Sequence, residues 1–207
     1  MSPAQRGLTR GLIIVAAILL AALAGLTAYR WFGPGGRSDD NGAGIGQVTI
    51  GGPFALTDQD GKTVSDKDFA GKLMLVYFGY TNCPDICPTG LQNIALAMDE
   101  LGAAGDQVQP IMITVDPERD TPAVLKEYVQ AFHPRLIGLT GTPEQIAKVA
   151  KEYRVYYQKA ELKNSSLGYA VDHSGFIYLM DRKGRYLAHL RHDATPDEIA
   201  ERIRSKL

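Results

Sequence analysis

Leu73-Met74-Leu75-Val76-Tyr77-Phe78-Gly79-Tyr80-Thr81-Asn82-Cys83-Pro84-Asp85-Ile86-Cys87-Pro88 is the stretch on which the reading of this chain turns. Leu73 to Tyr80 is apolar without alternation, as expected of a strand buried on both faces. The next residues hold the only two cysteines of the chain, four positions apart. Leu91, Ile94, Met98 and Leu101 then recur at helical spacing. A disulfide between the two cysteines would close a very small loop and constrain the unfolded chain little, so a structural staple is a weak reading. Two thiols at the end of a buried strand are better suited to redox exchange or to gripping a soft metal ion.

The elements around this stretch alternate in type. Phe54 to Thr57 and Thr63-Val64 flank Asp60-Gly61, which predicts a hairpin. Gln109 to Val115 reads as the next strand. Thr121-Pro122 opens a helix to about Phe132, with threonine as cap and proline at the first helical position. Leu136 to Leu139 is a short strand, and Thr142-Pro143-Glu144-Gln145 is a capping box before a helix to Tyr153. Phe176 to Asp181 and Arg185 to Leu190 form a closing hairpin around Lys183-Gly184, and Thr195-Pro196-Asp197-Glu198 caps the last helix. The expected order is hairpin, βαβαβα, then ββα. It predicts an α/β domain with a central mostly parallel sheet, flanking helices and a closing antiparallel hairpin. A strand that enters a helix through a two-cysteine turn is the thioredoxin-like arrangement.

The 207-residue chain has a formal charge of −1, which argues against nucleic acid as its main partner. Leu12 to Tyr29 carries no charge. As a helix it would span roughly 27 Å, close to the ~30 Å hydrocarbon core of a bilayer. Arg6 and Arg10 precede it, and Arg30, Trp31 and Phe32 follow. We expect residues 1–11 on the cytoplasmic side and residues 12–29 as a single transmembrane anchor. Residues 30–46, with six glycines between Gly33 and Gly46, read as a flexible linker, and residues 47–207 as one exported, periplasmic domain. Ala22-Leu23-Ala24 resembles a signal-peptide cleavage site, but the apolar run continues past it to Ala28, which favours an uncleaved anchor.

Cysteines two residues apart are the usual oxidoreductase pattern; three intervening residues make a wider bite that suits two ligands around one ion. A helix starting at Pro84 or Pro88 would place both sulfurs on one face and favour thiolate through its N-terminal dipole. Two thiolates and one imidazole satisfy Cu(I), whereas zinc normally takes a fourth ligand. Of the four histidines, His133 lies in a loop between a helix and a strand, and His189 and His192 flank the end of the last strand. His173 stands just before the apolar Phe176 to Met180 run. In a thioredoxin-like fold that places it beside the cysteine turn, so it is the candidate third ligand with Cys83 and Cys87.

These motifs resemble the Sco (SenC) family of membrane-anchored copper chaperones. The matching residues are Gly79 to Pro88, Thr114-Val115-Asp116-Pro117-Glu118-Arg119-Asp120-Thr121-Pro122, Leu139-Thr140-Gly141-Thr142, Tyr153-Arg154-Val155-Tyr156-Tyr157 and Val171-Asp172-His173-Ser174. They stand in the same order over about residues 50–200. The resemblance implies a thioredoxin-like fold with an inserted hairpin and copper held by Cys83, Cys87 and His173, as Cu(I), with Cu(II) the other candidate form. It implies delivery of copper to the dinuclear centre in the copper-bearing subunit of cytochrome c oxidase, or reduction of that centre's cysteines. Other copper chaperones or thiol reductants would then be further partners. The alternative is a thiol-disulfide oxidoreductase without obligatory metal, in which Cys83 and Cys87 are the redox-active pair and Cys83 the nucleophile. A peroxiredoxin-like peroxidase shares the fold, but no arginine stands near the cysteines in sequence.

Neighbouring motifs have plainer readings. Asp116 to Asp120 either docks a partner or caps a loop, and the structural role is favoured. Asp172 is placed to orient His173 or to serve as a turn acid. Asp85 complements the helix dipole. Tyr153, Tyr156 and Tyr157 read as packing. Asp58-Gln59-Asp60-Gly61 has the start of a calcium loop without its closing glutamate.

Overall fold

A computed structural model describes residues 20–23, 25, 49–162 and 168–207. Residues 48–207 form a compact unit of their own. Of the expected anchor, residues 20–23 and 25 are helical. The rest of residues 12–29 and the expected linker 30–46 lie outside the described residues. Among the described residues, no helix is long and apolar enough to cross a membrane.

The strands are β1 (Ala55–Asp58), β2 (Thr63–Ser65), β3 (Leu73–Gly79), β4 (Val108–Thr114), β5 (Ile137–Thr140), β6 (Tyr157–Glu161), β7 (Tyr169–His173), β8 (Phe176–Met180) and β9 (Tyr186–Arg191). The α-helices are α1 (Ile86–Leu101), α2 (Pro122–Gln130), α3 (Pro143–Glu152) and α4 (Pro196–Arg204). Seven strands form one sheet in the order β2-β1-β5-β4-β3-β8-β9. Its centre is parallel, β5-β4-β3, as the strand–helix alternation predicts. Both flanks are antiparallel: the N-terminal hairpin joins through β1 to β5, and the closing hairpin through β8 to β3.

Local chemistry explains most boundaries. The β1–β2 turn places Gly61 at φ 79°, and the Asp58 carboxylate accepts from the amides of Asp60 and Lys62. That is what the acidic Asp58-Gln59-Asp60-Gly61 run does; it is a turn. Thr121, Thr142 and Thr195 each accept an amide three residues on, with proline at the next position. Thr142 and Thr195 complete capping boxes with Gln145 and Glu198.

All seven residues of β3 are buried, and they alternate between two covered faces. Tyr77 points towards α1, where a Cβ on Gly90 would sit 3.3 Å from its ring. Phe78 points to the opposite face, against Tyr153 at the end of α3 and Tyr178 of β8. Gly138 is in register with Met112, itself paired with Tyr77, so it shares the α1 face. There α2 comes close: a Cβ on Gly138 would meet Val129 at 3.0 Å. α4 packs on α1. One face therefore carries α1, α2 and α4, the other α3, and the C-terminal end of β3 opens between them.

A hairpin that periodicity misses lies outside this sheet. β6 and β7 pair only with each other, from Tyr157↔His173 to Glu161↔Tyr169. Gln158, Lys159 and Glu161 are exposed, so β6 shows no apolar stripe to read.

Candidate metal centre

The site forms where β3 ends. A tight turn, with the Cys83 amide bonded to the Tyr80 carbonyl at 3.3 Å, carries the chain off the sheet. Cys83 precedes the helix, and Cys87 is the second residue of α1. The two sulfurs are thus not on one helical face. A turn and a helix start bring them together instead, because α1 begins only at Ile86. Both cysteines are buried and free.

His173 arrives at the end of β7, on the separate hairpin. The sulfurs of Cys83 and Cys87 and a nitrogen of His173 all lie within 4.8 Å of one another. Cys87 Sγ is 3.3 Å from His173 Nε2. Nδ1 lies 3.2 Å from the Ser174 carbonyl, which can only accept, so Nδ1 carries the proton. In the neutral ring, the Nε2 lone pair then faces the sulfurs. The carbonyl of Ser174 takes the orienting role for which Asp172 was a candidate; Asp172 is exposed. The ring is walled edge-on by Tyr80 at 5.8 Å and Tyr77 at 6.4 Å. The Tyr77 hydroxyl donates to the Ile86 carbonyl, and the Tyr80 hydroxyl accepts from the Val171 amide.

The other histidines stay away from this group. His133 sits in the expected loop but is buried, accepting from the Arg135 amide. His189 pairs with Tyr186 at 2.6 Å and packs against Phe176. The imidazole of His192 lies against Gly175. Among the described residues no fourth histidine, cysteine or carboxylate joins the three. Two sulfurs and one nitrogen, without a fourth donor, fit a soft monovalent cation better than zinc. Tyr153 is core, as its packing role predicts, whereas Tyr156 is 59% exposed.

The two thiols divide their protons unequally. The hydrogen bond from Cys87 draws Cys83 far below the ordinary thiol value of 9.0, against burial. Burial raises Cys87, and the charge on Cys83 adds to it. The pair titrates as a unit, holding one negative charge at neutral pH. The sign of the linkage follows. Below the ordinary thiol value the unfolded chain keeps both protons and the folded one has lost the first, so stability rises with pH. Above it the unfolded chain loses both while Cys87 retains its own, so stability falls. Under reducing conditions the difference in thermal stability between the wild type and Cys83→Ser/Cys87→Ser should peak near pH 9. Thiolate absorbance at neutral pH should show one thiolate per chain; two, or none, would contradict the assignment.

Two features of the site carry no strong sequence signal. Gly79 ends β3 where a Cβ would lie 2.8 Å from Cys87 Sγ. The Tyr128 hydroxyl, on α2, is buried, has no hydrogen-bond partner among the described residues and feels both sulfurs. Tyr128→Phe should leave the fold as stable or firmer by up to ~1 kcal/mol, because it removes an unsatisfied hydroxyl. A loss of more than ~1 kcal/mol in chemical denaturation would show that this hydroxyl is satisfied in solution.

Known proteins resemble this chain in sequence and in fold. The family model described as SCO1/SenC covers residues 42–207. The chain belongs to the SCO1/SenC family. A SCO2-like protein of Rickettsia prowazekii is 44% identical over 160 residues, 77% of this chain and 78% of its own. The structure of Bradyrhizobium japonicum ScoI with copper bound is 49% identical, with a TM-score of 0.70 over 76% of this chain and 99% of that one. BsSco, in which a disulfide switch was identified, is described as a member of the Sco family of cytochrome c oxidase assembly proteins. It is 31% identical, with a TM-score of 0.60 over 76% of this SCO1/SenC chain and 93% of its own.

Proposed function

We propose that this SCO1/SenC protein binds one copper ion through Cys83 Sγ, Cys87 Sγ and His173 Nε2 and serves cytochrome c oxidase assembly from a membrane tether. The observation that carries the reading is the convergence of two sulfurs with an imidazole whose other nitrogen is tied to a backbone carbonyl. The ring is thereby fixed with its donor atom inward, which limits the reorganisation needed on binding. Copper is cargo here: the site must hold it and give it up. A ligand on a hairpin outside the main sheet supports release, since it can withdraw while the sulfurs stay on the rigid β3–α1 unit.

The tether is residues 12–29, with residues 30–46 as linker and the domain on the periplasmic side. It would keep donor and membrane-bound acceptor at high local concentration. The acceptor is the copper-bearing subunit of the oxidase. Titrating Cu(I) into the reduced full-length protein should give tight one-to-one binding that Cys83→Ser and Cys87→Ser each abolish. Equal affinity in wild type and both variants would refute the site.

Thiol exchange is a second use of the same pair, favoured by the single thiolate on Cys83 and the adjacent Cys87. The Cys83 thiolate attacks a disulfide of the substrate protein, forming a mixed disulfide and releasing one substrate thiolate. Cys87 gives its proton to that thiolate and attacks Cys83, closing the internal disulfide and freeing the second substrate thiolate, which takes a proton from water. The substrate is reduced and the Cys83–Cys87 pair oxidised, by two electrons each. The disulfide switch identified in BsSco supports this reading. The two uses alternate, since metal binding needs the reduced pair.

A further inference from the structure

The hairpin carrying His173 shares no ladder with the seven-stranded sheet. A two-stranded hairpin is marginal alone, so side chains must hold it over the cysteines. They come from the loop after β4, whose sequence alone suggested a capping role.

Asp116 is fully buried. Its carboxylate accepts from the Arg119 guanidinium on one oxygen and from the Tyr169 hydroxyl, at 2.8 Å, on the other. Tyr169 is the first residue of β7. Arg119 also donates to the Tyr169 carbonyl at 3.1 Å and lies over the Tyr169 ring, 3.7 Å from its centroid. It also lies 5.8 Å from the ring centroid of Tyr80, which walls His173 and whose hydroxyl accepts the Val171 amide. From the same loop Asp120 accepts the Thr81 amide and hydroxyl, at 3.0 and 2.6 Å, two residues before Cys83. One loop therefore grips the cysteine turn with Asp120 and the histidine hairpin with Asp116 and Arg119.

We propose that Arg119 is a positioning residue that latches the β6–β7 hairpin to the cysteine turn and so sets how firmly His173 closes the site. The consequence for copper rests on the function proposed above; the latch itself does not. Arginine suits the place because its planar fork bonds a carboxylate and a carbonyl while its face stacks on a ring, which lysine cannot do.

The test compares full-length, reduced Arg119→Gln and Arg119→Lys with wild type and His173→Ala. In the metal-free proteins, amide hydrogen exchange at Val171 and His173 should quicken by about tenfold in both Arg119 variants, with Phe78 and Ile113 unchanged. Cu(I) affinity, from competition with a chromophoric chelator, should fall by between about tenfold and a hundredfold. The Arg119→Gln/His173→Ala double variant should bind no more weakly than His173→Ala, because Arg119 acts through that ring. Unchanged hairpin exchange in Arg119→Gln overturns the latch, as do losses that multiply in the double variant. If Arg119→Gln does not fold, Tyr169→Phe removes only the hydroxyl on Asp116, and hairpin exchange should then quicken by about threefold; no change there overturns the proposal equally. A wild type that binds no Cu(I) refutes the proposed function, while the exchange experiment still decides the latch.

Discussion

Replacing His173 by alanine should lower Cu(I) affinity by at least ~100-fold, about 2.8 kcal/mol, and leave both thiols titratable. The imidazole nitrogen lies 3.3 Å from Cys87 Sγ and is aimed by its own Nδ1 bond to the Ser174 carbonyl. Removing it leaves two sulfurs and no described side chain of suitable chemistry to take its place. Disulfide formation between Cys83 and Cys87 needs no imidazole and should persist, so the variant separates copper binding from thiol exchange. X-ray absorption of the copper-loaded proteins should show nitrogen lost from the first shell. Wild-type affinity with unchanged nitrogen scattering would show that His173 is not a ligand.

Gly79→Ala should damage stability and the site together. The new Cβ would stand 2.8 Å from Cys87 Sγ and 3.0 Å from a Tyr77 ring carbon. Neither neighbour has room to withdraw. Tyr77 is fully buried with Gly90 closely against its ring, and Cys87 is fully buried in the first turn of α1. Overpacking of this kind costs about 2 kcal/mol, a fall of roughly 6 °C in Tm for a domain of this size. Any strain taken up by Cys87 alters its 3.3 Å approach to His173 Nε2, so Cu(I) affinity should fall in the same variant. Chemical denaturation of the reduced apoprotein reads the first effect and chelator competition the second. Wild-type values in both would mean that the strand end gives more readily than its packing indicates.

Elements with a local cause were legible in the sequence. β3 reads as buried because eight apolar residues run without a break, and α2, α3 and α4 declare their starts through threonine caps followed by proline. The β6–β7 hairpin was not legible in the local residue pattern, because it lies outside the main sheet with exposed Gln158, Lys159 and Glu161 and hence no burial pattern. The relation of the cysteines was half legible. Their spacing says that they are near, but Cys83 belongs to a turn and Cys87 to a helix, and hydrogen bonds fix that boundary, not spacing. His173 was singled out by its place in chain order, and Asp172 was offered as its orienting group. Ser174 holds that role through its carbonyl, a group every residue possesses and no sequence pattern marks.

The amino-acid sequence by itself determined that a buried strand runs into a helix through a cysteine pair, and which histidine stands nearest in fold order. These follow from apolar periodicity, caps and spacing, which act over a few residues. Only the tertiary structure decided that the ring faces the sulfurs, that Gly79 leaves the space Cys87 occupies, and that a loop 39 residues from Thr81 holds the cysteine turn. Those depend on contacts between segments far apart in the chain, where direction and distance are set by packing across the whole domain.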